Sequence, residues 1–253
     1  MGYRLETDTD TDTTTLDIDG VIGRDYFEEF MTGEPSPNTV KELKKKIGQI
    51  QTKNIHVNIN SPGGNLNDGL VIMDLLKGKD AEITTRIMGL SASAATLILQ
   101  GGKRREMSIN SNILIHKAML FLFGWYNTTN LLDMLEEHEE MDKTLLDIYA
   151  RQTDGKATKE EIDALMNKGM DKQGIWISAQ KALEMGFIDA IYNPDEKEDN
   201  GDDDVSNKAS TSHKNEKSAA NPVNELPTNN KNAAASRNRN QLQYLKLKHK
   251  NNE

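Results

Sequence analysis

The sequence predicts an α/β fold built around a mostly parallel β-sheet. Short runs rich in isoleucine, valine and threonine alternate with longer segments of helical periodicity, and glycine, proline or asparagine separates them. Strands separated by helices of this length are typical of βα units, in which consecutive strands run in the same direction. We find no internal repeat in the sequence, so one layered domain is expected.

Four strands and three helices are predicted in the first half of this domain. The strand candidates are residues 15–22, 55–60, 83–88 and 113–116, and the helix candidates are residues 39–51, 67–76 and 94–99. The last of these helices is almost wholly apolar, which predicts that it is buried.

A long helix is predicted in the second half. Leucine, methionine and isoleucine recur at helical spacing from 131 to 148 with glutamates between them. This pattern indicates an amphipathic helix of about 22 residues, longer than the usual mean. Thr158 and Glu161 form a capping box that begins a second helix, and a third helix begins near Ser178 and ends at Gly186.

Composition divides the chain into three parts. Residues 1–14 contain a Thr/Asp run that alternates as a strand does but lacks an apolar face, so a flexible lead-in is expected. Residues 15–193 suit one compact domain. Residues 194–253 contain a single aromatic residue and an acidic stretch followed by a basic end. Because this segment cannot bury enough apolar surface to offset its ordering entropy, a disordered charged tail is predicted.

Composition also excludes several classes of function. The chain has no cysteine, which excludes a disulfide scaffold, a zinc-thiolate site and a cysteine nucleophile. Its 31 basic and 40 acidic side chains give a formal net charge of -9, which argues against nucleic acid as a partner. No apolar run approaches the roughly 20 residues of a membrane helix, and the N-terminus lacks the apolar core of a signal peptide. A cytoplasmic protein without a membrane partner is expected.

The first segment with candidate chemistry is the Asn-Ser-Pro-Gly-Gly turn at residues 60–64, which follows a predicted strand. Glycine lets the backbone turn sharply and leaves its amides without a covering side chain. Exposed amides suit an oxyanion hole or a clamp for an extended ligand. The alternative is an ordinary strand-to-helix turn, because glycine turns of this kind are common.

The second segment, residues 89–96, runs through small residues from a predicted strand into the buried helix, and it contains Ser91 and Ser93. A hydroxyl at the N-terminus of a helix is suited to nucleophilic attack, because the helix dipole favours developing negative charge. The alternative is that either serine only caps the helix, since serine is among the preferred N-cap residues.

The third segment is the apolar strand at 113–116, which closes with His116. Taken alone, a histidine at such a position is more often packed with one nitrogen hydrogen-bonded than used as a base. His56 lies on another predicted strand, and His138 lies on the face of the acidic helix that is predicted to be exposed. No two histidines have metal-ligand spacing, so no metal site is predicted.

The order and spacing of the three segments resemble those of the Clp protease proteolytic subunit family, ClpP. Ser93 follows Gly64 by 29 residues, and His116 follows Ser93 by 23 residues. The resemblance covers about residues 15–193 and includes the closing segments 177–182 (Ile-Ser-Ala-Gln-Lys-Ala) and 186–189 (Gly-Phe-Ile-Asp). It implies an α/β fold of the ClpP and crotonase type, with βα units, a parallel sheet and a protruding handle helix.

The resemblance also implies a serine endopeptidase that needs no cofactor and no metal. Ser93 matches the nucleophile, and His116 matches the general base. The amides of Gly64 and Ala94 match the oxyanion hole, and the adjacent Gly63 matches the backbone that binds substrate. The implied mechanism is acyl transfer to the serine, followed by hydrolysis of the acyl-enzyme.

The third member of the triad departs from the family pattern. The family places its aspartate two positions before the aromatic residue that is Trp176 here, and that position is Gly174. Asp171 is the nearest carboxylate, and it would complete the triad if this loop contains an insertion. The alternative is that Asp171 only caps the following turn.

Further departures concern the partners. Lys117 and Ala118 replace the Gln-Pro that follows the histidine in the family, and residues 119–126 include four aromatic side chains. An apolar stretch this short cannot span a bilayer, so burial in a subunit contact or a substrate channel is expected. The resemblance implies polypeptide substrates, a homo-oligomeric ring and, as further partner, either an ATP-dependent unfoldase or phage capsid and scaffold proteins. The acidic tail and divergent N-terminus are more similar to the head-maturation proteases of phages and prophages.

Two other functions stay open at this point. A crotonase-like acyl-CoA enzyme shares the fold and the paired amides, but it does not need a Ser–His pair, and the sequence has no obvious cluster for the CoA phosphates. A catalytically inactive, ring-forming scaffold is favoured only by the missing aspartate at position 174.

Overall fold

The structure is a computed structural model that describes residues 3–169 and 173–195. Within them the strands are β1 (Tyr3–Asp8), β2 (Thr13–Asp19), β3 (Asn54–Ser61), β4 (Glu82–Ala92), β5 (Arg104–Ser108), β6 (Asn112–Ile115), β7 (Ile175–Ser178) and β8 (Ala190–Tyr192). The helices are α1 (Tyr26–Thr32), α2 (Val40–Gln49), α3 (Leu66–Lys77), α4 (Ala95–Leu99), α5 (Thr128–Gln152), α6 (Lys159–Met166) and α7 (Ala179–Glu184). The predicted tail, 194–253, lies outside the described residues apart from its first two positions.

One mixed sheet forms the frame, with strand order β1-β2-β3-β4-β5-β8. The pairs from β2 to β5 and from β5 to β8 are parallel, which confirms the prediction from the alternating strands and helices. The long strand β4 pairs first with β5 and then, over its last three residues, with β6. Because Ser61 lies beside Ser91 and Leu114 lies beside Ala92, the carboxyl ends of β3, β4 and β6 meet at one edge.

Along β2 and β3 the core lies against one face of this sheet. Burial alternates along β2 and β3, which places Leu16, Ile18, Val57 and Ile59 in the interior with no exposed surface. This alternation follows from the period of two residues in a strand. All five residues of α4 are buried, as its apolar sequence predicted.

The expectation of a flexible lead-in over residues 1–14 is wrong where the chain is described. β1 pairs antiparallel with β2 along its whole length. Backbone groups supply this pairing, so polar side chains do not prevent it. Leu5 packs against the core and the side chain of Thr14 is buried, which anchors the hairpin.

α5 is the predicted long helix, and its 25 residues span about 37 Å at the usual helical rise. Its buried side chains are Leu145, Ile148 and Tyr149, all in its last two turns. The turns before them bury no residue, and Leu131 near the N-terminus is 46% exposed. The helix therefore projects from the domain and is anchored at its C-terminal end.

Asp189 fastens the turn before β8 to β5. Its Oδ2 accepts hydrogen bonds from the backbone N–H of Arg105 at 2.8 Å and from Nε of the same residue at 3.0 Å. Burial raises the pKa of this carboxyl, but the hydrogen bonds outweigh burial, so the pKa lies below its ordinary value.

We expect Asp189→Asn to lower the melting temperature near neutral pH. Because the pKa of Asp189 is lower in the folded state than in the unfolded state, this stabilisation is present above about pH 4 and is lost at lower pH. Thermal unfolding of both proteins at pH 7 and at about pH 3 checks the sign, since the difference should shrink in acid. An equal difference at both values would show that the charge of Asp189 is not responsible.

Candidate active site

Ser93 lies in the turn that joins β4 to α4, with φ of +54°. This left-handed conformation is uncommon outside glycine. Its N–H donates to the carbonyl of Leu114 at 3.0 Å, while its carbonyl accepts from the N–H and the hydroxyl of Thr96 at 2.9 and 2.6 Å. Such strained residues persist where the surroundings hold them, and they cluster at functional sites.

Neither serine caps the helix. The N-cap of α4 is Ala94, and no side chain caps it. Ser91 lies within β4 with no exposed surface, and its Oγ has no hydrogen-bond partner among the described residues. Ser93 is half-buried, which leaves it as the accessible hydroxyl of the pair.

The glycine turn of residues 60–64 packs directly against Ser93. A Cβ on Gly63 would lie 2.5 Å from the carbonyl oxygen of Ala92 and 2.7 Å from Cβ of Ser93. On Gly64, where φ is +148°, a Cβ would lie 2.1 Å from the carbonyl oxygen of Ile22. Side chains are therefore excluded from both positions, and glycine is required for this close approach.

Two amides at this junction are available to a ligand. The N–H of Gly63 donates to Oγ of Ser61 at 3.0 Å, so it is used within the turn. In contrast, the N–H groups of Gly64 and Ala94 have no acceptor among the described residues, and both residues line the same cavity. A pair of free amides beside a serine is the arrangement that binds a developing oxyanion.

His116 follows β6 and lies on the wall of the same cavity as Ser93. Its Nδ1 lies 2.5 Å from the carbonyl oxygen of Lys117. Because a carbonyl only accepts, Nδ1 carries the proton, and Nε2 is left as the basic nitrogen. The described contacts include no hydrogen bond between Ser93 and His116, as is common for catalytic pairs without substrate.

At the third triad position, the structure differs from the family pattern. A Cβ on Gly174 would lie 2.9 Å from Cβ of His116 and 2.1 Å from the carbonyl oxygen of Ile115. The position is thus adjacent to the histidine, as the resemblance implies, but it has no carboxylate. Asp171, the predicted substitute, lies outside the described residues.

The cavity has a volume of about 530 Å³. It is lined by Ser93, by His116 and by Gly64 of the glycine turn, and α5 contributes Met134, Met141 and Leu145. Tyr149 also lines it, and complete burial raises the pKa of this phenol to about 12, so it stays protonated. No group of three or more His, Asp or Glu side chains suited to a metal occurs within residues 3–169 and 173–195.

Two contacts of α5 beside the cavity were missed by sequence reasoning. His138 is half-buried rather than exposed, because its Nε2 lies 2.8 Å from the carbonyl oxygen of Ala118. One helical turn later, Asp142 Oδ1 accepts the N–H of Ala118 at 2.8 Å. The i, i+4 spacing of a histidine and an aspartate on one helix was the only sequence signal for this pair.

Comparison with known proteins agrees with this geometry. The family model described as Clp protease matches residues 38–195, which is more than half of the chain. The chain belongs to the Clp protease family. The membership confirms the predicted family and shows that the chain is a serine peptidase.

Relatives within the Clp protease family are similar over most of their length. The ATP-dependent Clp protease proteolytic subunit of Streptococcus pneumoniae strain JJA is 33% identical over 167 residues, which cover 64% of this chain and 82% of the relative. That of strain 70585 is 33% identical over 156 residues, with 61% and 76% covered.

A solved structure of this family confirms the predicted fold class. A ClpP1 mutant from Listeria monocytogenes superimposes with a TM-score of 0.56 at 20% identity, covering 74% of this chain and 94% of that chain. Among the described residues of this Clp protease, no helix is long and apolar enough to cross a bilayer.

Proposed function

We propose that this Clp protease cleaves peptide bonds with Ser93 as nucleophile and His116 as general base. The observation that carries the proposal is the convergence of both side chains and two free amides on one cavity. Three chain segments distant in sequence supply these groups, which is the arrangement that acyl transfer requires.

The proposed reaction has two halves. Nε2 of His116 accepts the hydroxyl proton while Oγ of Ser93 attacks the scissile carbonyl, and the amides of Gly64 and Ala94 bind the resulting oxyanion. The protonated imidazole then gives its proton to the leaving amine, which leaves an acyl-enzyme. Water, activated by the same histidine, adds to the acyl carbon and releases the carboxylic acid and the free serine.

An orienting group is needed at Nδ1 of His116. The carbonyl of Lys117 fills this role in the structure, and it fixes the tautomer without a negative charge. We propose Asp171 as a second, charged acceptor that shares this N–H with the carbonyl of Lys117. Support comes from its flanking glycines: a Cβ on Gly169 would lie 2.2 Å from the carbonyl oxygen of Gly174, which itself contacts His116.

The lining of the cavity supports a preference for apolar side chains next to the cleaved bond. Met134, Met141 and Leu145 of α5 line the same cavity as Ser93. Methionine side chains adapt to apolar groups of different shapes. Polypeptides with leucine, methionine or phenylalanine at this position are therefore the expected substrates.

A homo-oligomeric ring is the proposed assembly. Within residues 119–126, Phe121 and Phe123 are each 90% exposed and Trp125 is fully exposed. An apolar segment of this size beside a protruding helix is typical of a subunit interface. The curated relatives are named as parts of an ATP-dependent protease, which supports a cytoplasmic role beside an ATP-dependent unfoldase. Processing of phage capsid or scaffold proteins is the second proposed role, supported by the charged tail in the sequence.

We expect Phe123→Glu to dissociate the assembly and to lower peptide hydrolysis with it. A charge placed in an apolar interface would be desolvated without a partner, so association weakens strongly. Light scattering at micromolar concentration, run beside a peptidase assay, measures both effects. The matched control is Asp133→Ala on the exposed surface of α5, which should leave both unchanged. A wild-type protein that is monomeric under these conditions would contradict the proposal.

Labelling with a fluorophosphonate tests the function itself. The probe forms a covalent bond with an activated serine, and peptide mapping then identifies the modified residue. Modification of Ser93 that depends on His116 is the expected result. No modification in the assembled protein would favour the inactive scaffold, and turnover of acyl-CoA thioesters without modification would favour the crotonase-like enzyme.

A further inference from the structure

The long helix α5 contacts the chain two residues after His116, at Ala118, and three residues after Ser93, at Thr96. We propose that α5 sets the separation of Ser93 and His116, with His138 and Asp142 as positioning residues for the histidine and Tyr149 for the serine. This inference rests on the proposed function, because it takes the two residues as the catalytic pair.

The contact on the histidine side is a two-point clamp on Ala118. Asp142 Oδ1 accepts the N–H of this residue, and His138 Nε2 donates to its carbonyl oxygen, both at 2.8 Å. Both polar groups of one peptide residue are therefore held by side chains one helical turn apart. Ala118 is two residues after His116 and one after Lys117, whose carbonyl binds Nδ1 of the imidazole. The clamp thus fixes the backbone that orients the ring.

The contact on the serine side passes through Thr96. The hydroxyl of Thr96 donates to the carbonyl of Ser93 at 2.6 Å. Tyr149 OH lies 2.6 Å from the same threonine oxygen, and because that oxygen has already donated its proton, the phenol must be the donor here. These two hydrogen bonds, from Tyr149 to Thr96 and from Thr96 to Ser93, therefore connect α5 to the proposed nucleophile.

Both contacts lie on one rigid element. Asp142 and Tyr149 are seven residues apart, which corresponds to about 10 Å along a helix. The buried side chains of α5 begin at Leu145, between the two contacts. Loss of either contact leaves one catalytic residue able to move relative to the other, and a misplacement of about 1 Å can lower a rate about a hundredfold.

The clamp uses a feature of this sequence that differs from the family pattern. Proline, which the family resemblance places after the histidine, has no N–H to donate. Ala118 supplies one here, and Asp142 accepts it. Lys117, the other replaced residue, forms an ion pair with Asp163 of α6 at 3.0 Å. Both residues that differ from the family pattern after His116 therefore contact an aspartate on a neighbouring helix, Asp163 for Lys117 and Asp142 for Ala118.

Two measurements on Asp142→Ala test the clamp. The first is hydrogen exchange of the Ala118 amide, measured in the full chain that carries both Asp142→Ala and Ser93→Ala. Because this double variant lacks the proposed nucleophile, the exchange rate reports the clamp independently of catalysis. The second is peptide hydrolysis by the single variant Asp142→Ala, which retains Ser93. We expect faster exchange at Ala118, with kcat lowered about 10- to 100-fold and KM changed less than about twofold. Asp142→Asn keeps an acceptor oxygen and should restore most of kcat.

The controls separate positioning from general loss of structure. Asp133→Ala makes the same change on an exposed part of α5 and should alter neither exchange nor kcat. Ala118→Pro removes the donor without touching the helix, so it should lower kcat similarly, and adding Asp142→Ala should cause little further loss. Tyr149→Phe removes only the phenol hydroxyl and should slow phosphonylation of Ser93 about tenfold.

The outcomes distinguish this inference from the proposed function. Faster exchange at Ala118 with kcat equal to that of Asp133→Ala would overturn the positioning role. Unchanged exchange would overturn the clamp itself. Full peptidase activity in Ser93→Ala would instead reject the catalytic assignment, whatever the exchange experiment shows.

Discussion

Ser93→Ala is expected to lower peptide hydrolysis by about 10,000-fold or more, because it removes the oxygen atom that is proposed to form the acyl-enzyme. The fold and the assembly should persist. The backbone of the turn is held by Leu114 and Thr96 rather than by the hydroxyl of Ser93, which has no partner among the described residues. Hydrolysis of a fluorogenic peptide and of unfolded casein, with light scattering for assembly, measures both expectations.

Ser91→Ala is the matched control for this change. Ser91 is two residues away and fully buried, and its Oγ makes no hydrogen bond to the residues that the structure describes. Removal of a buried, unpaired hydroxyl is neutral or slightly stabilising. We therefore expect unchanged activity and an unchanged or higher melting temperature. Loss of activity in Ser91→Ala together with full activity in Ser93→Ala would reverse the assignment.

The second large effect is expected at Gly64. Its φ is +148°, and a Cβ added there would lie 2.1 Å from the carbonyl oxygen of Ile22, which leaves no space for alanine. The turn must move, and the amide of Gly64 moves with it. Loss of one oxyanion donor lowers kcat about 100- to 1,000-fold. Peptide kinetics of Gly64→Ala, with thermal unfolding to measure the accompanying loss of stability, tests this expectation.

Gly155→Ala provides the comparison for Gly64. Gly155 also has a positive φ, +76°, but a Cβ there meets no atom within 4 Å, and the residue does not line the cavity. It should show the conformational strain of a left-handed alanine, about 1 kcal/mol, with normal kcat. Equal kinetic losses in both variants would mean that close packing at Ile22 does not place the oxyanion donor.

Much of the sheet could be predicted because its strands have strong local patterns. β3 alternates buried and exposed residues between glycine- or asparagine-rich ends, and α4 is apolar throughout. β1, β5 and α1 were missed for a shared reason. β1 and β5 are dominated by polar residues, and α1 buries none of its residues, so none of them shows the apolar periodicity on which prediction depends. Their structure comes from strand pairing, ion pairs and helix caps.

The candidate site, like the sheet, could be predicted only in part from the sequence. The order of the glycine turn, Ser93 and His116 along the chain was sufficient to predict the family, and it also supplied the proposed catalytic pair. The choice between the two serines was left to the resemblance, and the backbone conformation now supports it: φ of +54° lifts Ser93 out of the strand that buries Ser91. A hydroxyl is accessible only if the backbone turns it away from the core.

The linear sequence was enough for the class of fold, the long helix and the family, because each depends on residue type and local spacing. Tertiary packing decided which amides stay free, that the carbonyl of Lys117 holds Nδ1 of His116, and that His138 faces the cavity. The contact of His138 with Ala118 joins residues 20 positions apart, which are neighbours only after α5 packs against the segment that follows β6. Hydrogen bonds between elements depend on distances that no periodicity encodes.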